Sequence, residues 1–160
     1  MEIDILIDEE LEGHPDTNWL HNIAEKVLTC LNPSPATEMS LVITTQDRIR
    51  QLNRDYLKKD QPTDVISFYM TSPTQESDTG NPPFILPPDG ILHLGEVIIS
   101  YPQAVIQAKE HKHSVERELT ILIIHGILHL LRYEDEKPEL KRKMVARETE
   151  ILRSIIGKGG

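Results

Sequence analysis

Ser114-Val-Glu-Arg-Glu-Leu-Thr-Ile-Leu-Ile-Ile-His125-Gly-Ile-Leu-His129-Leu-Leu131 decides how this chain is read. Apolar positions 115, 119, 122, 123 and 126 form one stripe at helical spacing, and Ser114 stands where a first-turn cap belongs. On that helix His125 and His129 lie one turn apart on the same face, where two imidazoles can grip one ion. Asp135 follows six residues after His129. A helix continued straight would carry residue 135 about 9 Å further and onto another face, so the chain has to turn back for its carboxylate to join. The three then match a catalytic metal site, with three protein ligands and one position left open. The same spacing fits two half-buried, hydrogen-bonded helix histidines with no ion between them. Spacing leaves both readings open.

On either side of this helix the pattern predicts further layers. Ile3, Ile5 and Ile7 alternate with polar residues and predict a first strand. Beyond His14-Pro-Asp-Thr17, the residues Trp19, Ile23, Val27, Leu28 and Leu31 recur at helical spacing until Asn32-Pro-Ser-Pro35 stops the helix. Met39 to Thr44 predicts a strand, and Thr44 or Thr45 can cap a helix from Asp47 to about Leu57. Asp64 to Tyr69 and Ile91 to Ser100 read as strands, Tyr101 to His111 as a helix, and Pro138 starts a last helix to about Ile156. Residues 71–90 hold five of the 11 prolines among Ser, Thr, Gly and Asp, which predicts a flexible surface loop rather than a domain linker. No internal repeat is present. The expected fold is α+β: a single domain over 1–160, with one mixed four-stranded sheet and helices packed on it.

Bulk properties narrow the function classes. A chain of 160 residues can bury a core without staples, and its single Cys30 fits a reducing compartment, with the cytoplasm expected. The longest aliphatic run, Ile121 to Ile124, is far too short for a bilayer, and the acidic start Met1-Glu-Ile-Asp4 is unlike a signal peptide. Net charge of -9 argues against indiscriminate nucleic-acid binding, and no DNA partner is expected. The charge is uneven, however. Arg48, Arg50, Arg54, Lys58 and Lys59 face Asp55 alone within residues 48–59, and Lys137, Lys141, Arg142, Lys143 and Arg147 face Glu139 alone within 137–147. Such stretches suit an RNA-facing surface or simply the solvated faces of two helices.

Leu52-Asn53, Pro62-Thr-Asp-Val-Ile-Ser-Phe68, Leu94-Gly-Glu96 and His125-Gly-Ile-Leu-His-Leu-Leu131, in that order, resemble the YbeY family of single-domain bacterial metalloproteins. The resemblance runs over roughly residues 3–155. It implies a zincin-like fold with the metal site on a central helix. It also implies a zinc-dependent endoribonuclease that matures the 3′ end of small-subunit ribosomal RNA and takes part in ribosome quality control. The implied partners are single-stranded or ribosomal RNA and the small ribosomal subunit with its assembly factors. The implied ligands are His125, His129 and Asp135, holding one Zn2+ per chain. The family pattern there is His-Gly-x-Leu-His-x-x-Gly-Tyr-x-His, and this chain departs from it. Arg132 replaces the glycine, Glu134 precedes the third ligand position, and Asp135 replaces the histidine. Arginine can adopt the turn the glycine supplies, at on the order of 1 kcal/mol. Aspartate is a harder ligand and widens tolerance to Mn2+ or Mg2+, and Glu134 can also reach the ion. Leu57 stands near where the family has an RNA-contacting arginine, and Glu96 replaces its aspartate.

For phosphodiester cleavage the expected cationic pair is Lys58 and Arg132, with Arg54, Lys58, Lys59, Thr63 and Ser67 contacting substrate. Thr63 and Asp64 equally suit a turn into the strand. His93 reads as a satisfied sheet histidine, and His111 and His113 as solvent-exposed neighbours of the helix cap. Two rival functions remain. One is a ribosome-associated binding factor whose chemistry has decayed, given the changes at Leu57, Arg132 and Asp135. The other is a zinc peptidase, which would need a glutamate where Gly126 stands.

Overall fold

The computed structural model describes residues 2–31, 37–57, 63–69, 92–131, 133 and 137–156. Among them the chain forms β1 (Glu2–Ile7), α1 (Thr17–Leu31), β2 (Thr37–Thr44), α2 (Gln46–Leu57), β3 (Val65–Tyr69), β4 (Leu92–Ser100), α3 (Tyr101–Glu110), α4 (Val115–Leu130) and α5 (Pro138–Ile156). The strands make one mixed sheet in the order β1-β2-β4-β3. β1, β2 and β4 run parallel, and β3 runs antiparallel to β4. The expected single α+β domain with a mixed four-stranded sheet is therefore present. Residues 71–90, expected as a flexible loop, lie outside the described residues.

Side-chain alternation sets the two faces. Met39, Leu41 and Ile43 of β2 and Val97 and Ile99 of β4 point into the main core with α1, α4 and α5. Ile66, Ile98, Val42 and Phe68 point the other way, onto Ile49 and Leu52 of α2. β4 is covered on both faces, which is why its sequence from Val97 to Ile99 is continuously aliphatic rather than alternating. α1 buries Leu20, Ile23, Ala24, Val27 and Leu28, the i, i+3, i+4 spacing of one helix face.

α4 is the central helix. It packs against β3, β4, α1, α3 and α5. Leu119, Ile123, Ile124, Ile127 and Leu128 are all 0–1% exposed, so it is apolar around most of its circumference. The expected Ser114 cap is realised: its side chain accepts from the Arg117 N–H at 3.1 Å. Of the two caps proposed for α2, Thr45 is the one used, accepting from the Arg48 N–H at 3.1 Å. Thr44 instead donates to Asp8 at 2.7 Å and ties the end of β2 to the end of β1.

Candidate metal centre

α4 holds His125 and His129 one turn apart with their Nε2 atoms 3.0 Å from each other and ring centroids 4.5 Å apart. The opposite nitrogen of each ring is fixed. His125 Nδ1 meets Glu148 Oε1 of α5 at 2.6 Å, and His129 Nδ1 meets the Tyr133 carbonyl at 3.0 Å. A carboxylate and a carbonyl only accept, so both Nδ1 atoms carry the proton. Each neutral ring then turns an Nε2 lone pair toward the other, and two lone pairs at that distance repel unless a proton or a cation lies between them. Two imidazoles bound tetrahedrally to zinc would place their nitrogens roughly 3.3 Å apart, given Zn–N of about 2.0–2.1 Å. Outer acceptors that fix the tautomer of a ligating histidine accompany metal sites generally. The donor set fits a divalent cation.

Gly126 explains how the helix comes close enough to the sheet. A Cβ at this position would lie 2.5 Å from Val97 Cγ1 and 3.4 Å from Val65 Cγ2. Ser67 Oγ donates to the Gly126 carbonyl at 2.9 Å and fastens β3 to the same turn. The close approach leaves no room for the glutamate a zinc peptidase carries after its first histidine, and the peptidase reading fails on it. The Tyr133 N–H reaches the Leu128 carbonyl at 3.0 Å, a six-to-one closure that ends the helix and aims the Tyr133 carbonyl at His129. Asp135, with Glu134 and Arg132, lies outside the described residues.

Of the expected substrate contacts, Lys58 and Lys59 also lie outside them. Thr63 Oγ1 is 3.4 Å from Asp64 Oδ1 at the entrance to β3. Arg54 sits on α2, across the sheet from α4, with its guanidinium 3.3 Å from Asp55. His93 is paired with Glu38 at 2.9 Å, as a satisfied sheet histidine should be. His111 and His113 correct the sequence reading, because they are more than exposed neighbours of a cap. Both rings bond Glu118 Oε1 of α4, at 2.9 and 2.6 Å, and that carboxylate is only 3% exposed. Burial works to raise the Glu118 carboxyl, but hydrogen bonds from His111, His113 and Gln107 outweigh it and hold it below the usual carboxylate range.

Sequence reasoning missed Glu148. The signal was present: Met144 and Ile151 are the buried residues of α5, and Glu148 falls on their stripe at i+4. A carboxylate on a buried stripe calls for a partner, and here the partner is His125.

The profile of the family described as Endoribonuclease YbeY matches residues 6–156. The chain belongs to the YbeY family. Endoribonuclease YbeY of Dehalococcoides mccartyi is 41% identical over 155 residues, covering 97% of this chain and 93% of that one. Its Bacillus cereus counterpart is 38% identical over 153 residues, covering 96% and 95%. The solution structure of TM1509 from Thermotoga maritima superposes with a TM-score of 0.62 at 24% identity, over 97% of this chain and 89% of that one, a likeness of fold. No helix among the described residues is long and apolar enough to cross a membrane.

Proposed function

We propose that this protein is a metal-dependent endoribonuclease cutting single-stranded RNA, with 3′-end maturation of small-subunit ribosomal RNA and ribosome quality control in the cytoplasm as its setting. The observation that carries the reading is the pair of Nε2 atoms facing each other at 3.0 Å with both Nδ1 atoms tied down, in a member of a family described as endoribonucleases. In this reading His125, His129 and Asp135 hold one cation in this site, zinc by its donor set, with Mn2+ or Mg2+ admitted by the carboxylate. When bound, such an ion polarises a phosphoryl oxygen as a Lewis acid.

The chain's own residues do the rest. Glu148 and the Tyr133 carbonyl keep the imidazoles in one tautomer and one orientation. Lys58 and Arg132 stand as cations against charge that develops on the phosphate, while Arg54, Lys59, Thr63 and Ser67 hold the RNA backbone. Ser67 already donates its proton to Gly126, so a substrate would meet its oxygen as an acceptor. Single strands suit a site of this kind because their splayed backbone enters grooves that a duplex cannot.

Elemental analysis of the purified protein, paired with cleavage of a fluorescent single-stranded RNA, tests the proposal. Cleavage that disappears in His129→Ala together with one equivalent of metal supports it. Binding of small ribosomal subunits with no cleavage at any metal loading replaces it with an assembly factor that has lost turnover, the reading favoured by the changes at Leu57, Arg132 and Asp135.

A further inference from the structure

The turn between α3 and α4 gathers His111, His113 and Glu118 so that one ligand atom of each lies within 4.8 Å of the others. Sequence spacing alone does not predict this. On a helix, positions i and i+2 point about 200° apart, so two such histidines would diverge. Lys112 alters the geometry. Its φ of 57° is the one positive value among the described non-glycine residues, and it reverses the chain between the two rings. The reversal is locked by the His113 N–H on the Ala108 carbonyl at 3.1 Å and the Lys112 N–H on the Lys109 carbonyl at 3.2 Å. His111 Nδ1 and His113 Nε2 then converge on Glu118 Oε1.

We propose that His111, His113 and Glu118 form a second binding site, for a divalent transition-metal cation that prefers imidazole and carboxylate ligands. Three features argue for a cation rather than a capping network alone. The carboxylate of Glu118 is 3% exposed, and a buried anion calls for compensating positive charge, which a bound cation supplies. Its other oxygen is held from outside the triad: Gln107 Nε2 donates to Oε2 at 3.0 Å, and Gln107 is itself steadied by Gln103 at 3.1 Å and Asp64 at 3.3 Å. This is the outer layer of hydrogen bonds that orients a ligating carboxylate and leaves Oε1 for the ion. Finally, His111 is 54% exposed while His113 is 19% exposed, which gives an entry path and a solvent-facing position for a fourth ligand. Glu118 precedes His125 by seven residues on α4, about 10 Å along the axis, so the two sites are separate.

Zn2+ titrated into the full chain by competition with a chromophoric chelator reads the site directly, with Co2+ absorption as a second measurement. The His125→Ala/His129→Ala protein should still bind one equivalent and give tetrahedral Co2+ bands. Adding His111→Ala, an exposed substitution that should leave the circular dichroism spectrum unchanged, should weaken that binding by more than the roughly 10–100-fold that outer partners are worth. Gln107→Ala should weaken it roughly tenfold. Stoichiometry and spectra unchanged by His111→Ala and by His113→Ala would overturn the proposal. RNA cleavage plays no part in this readout, so it stands or falls apart from the function proposed above.

Discussion

Gly126 is the residue on which the proximity of helix and sheet turns. A methyl group there would press on Val97 Cγ1 at 2.5 Å, and Val97 is β-branched and 0% exposed, with no free rotamer to retreat to. Gly126→Ala should therefore destabilise the protein by about 1–3 kcal/mol in urea unfolding, and Gly126→Ala/Val97→Ala should recover part of that loss. A double variant no more stable than Gly126→Ala would mean that the clash is not the cause. Glu148 makes a different kind of prediction. Glu148→Gln keeps an acceptor for His125 Nδ1–H but removes the charge that favours a cation on the far nitrogen. Zinc affinity at the His125–His129 site should fall about 10–100-fold with little change in melting temperature. Affinity equal to the parent would show that Glu148 serves packing alone. Both histidines were legible from spacing, because a helix brings i and i+4 together whatever surrounds it. Their partners were not, since Glu148 arrives from α5, 23 residues later, and the Tyr133 carbonyl depends on how α4 ends.

At the scale of elements, the junction of β1 and β2 carries a pH-dependent clamp. Asp8 accepts from the Glu10 N–H at 2.9 Å and from Thr44 Oγ1 at 2.7 Å, and its own N–H reaches the Ile43 carbonyl at 2.9 Å. The Glu10 hydrogen bond, then the Thr44 hydroxyl, and more weakly the Arg48 charge hold its carboxyl below the ordinary value against the opposing effect of burial. A carboxyl depressed on folding stabilises the protein above its unfolded pKa, about 3.9, and that contribution is lost as pH falls through the lower folded value. Asp8→Asn should therefore be less stable than the parent at neutral pH, and the gap should close below about pH 4 in a series of denaturant midpoints. A gap constant from pH 7 down to pH 3 would sink the assignment. Element types were readable along the chain because periods of 2 and 3.6 are distinct. Strand ends were less so. β2 begins at Thr37, two residues before its aliphatic run starts at Met39, because Glu38 pairs with Glu2 of β1 and His93 of β4. Those partners lie 36 and 55 positions away, where local propensity carries no information.

Across the whole molecule, the sheet separates α4 from α2, and β3 lies at its edge. Ser67 and Val65 of β3 face α4 at Gly126, while Ile66 and Phe68 face α2, where Tyr56 meets the Phe68 ring edge-on with centroids 5.5 Å apart. Among the described residues β3 is an edge strand, so under the proposed function an RNA strand crossing it would meet the histidine pair on one side and α2 on the other. Under the proposed function Arg54 would act at a distance from the imidazoles, as a backbone contact rather than a group at the reacting phosphate. This matters in a chain of net charge -9, where local cations have to overcome a repulsive field. Arg54→Ala should weaken single-stranded RNA binding evenly across sequences and reduce the slope of log affinity against log salt by about 0.7, the value of one neutralised phosphate on a single strand. Its metal content should stay at the parental level, whereas His129→Ala should lose metal and keep the salt slope. Anisotropy titrations at several salt concentrations measure both quantities. If Arg54→Ala left the slope unchanged, RNA would not cross the β3 edge onto α2, and the α2 arginines would be an ordinary solvated helix face.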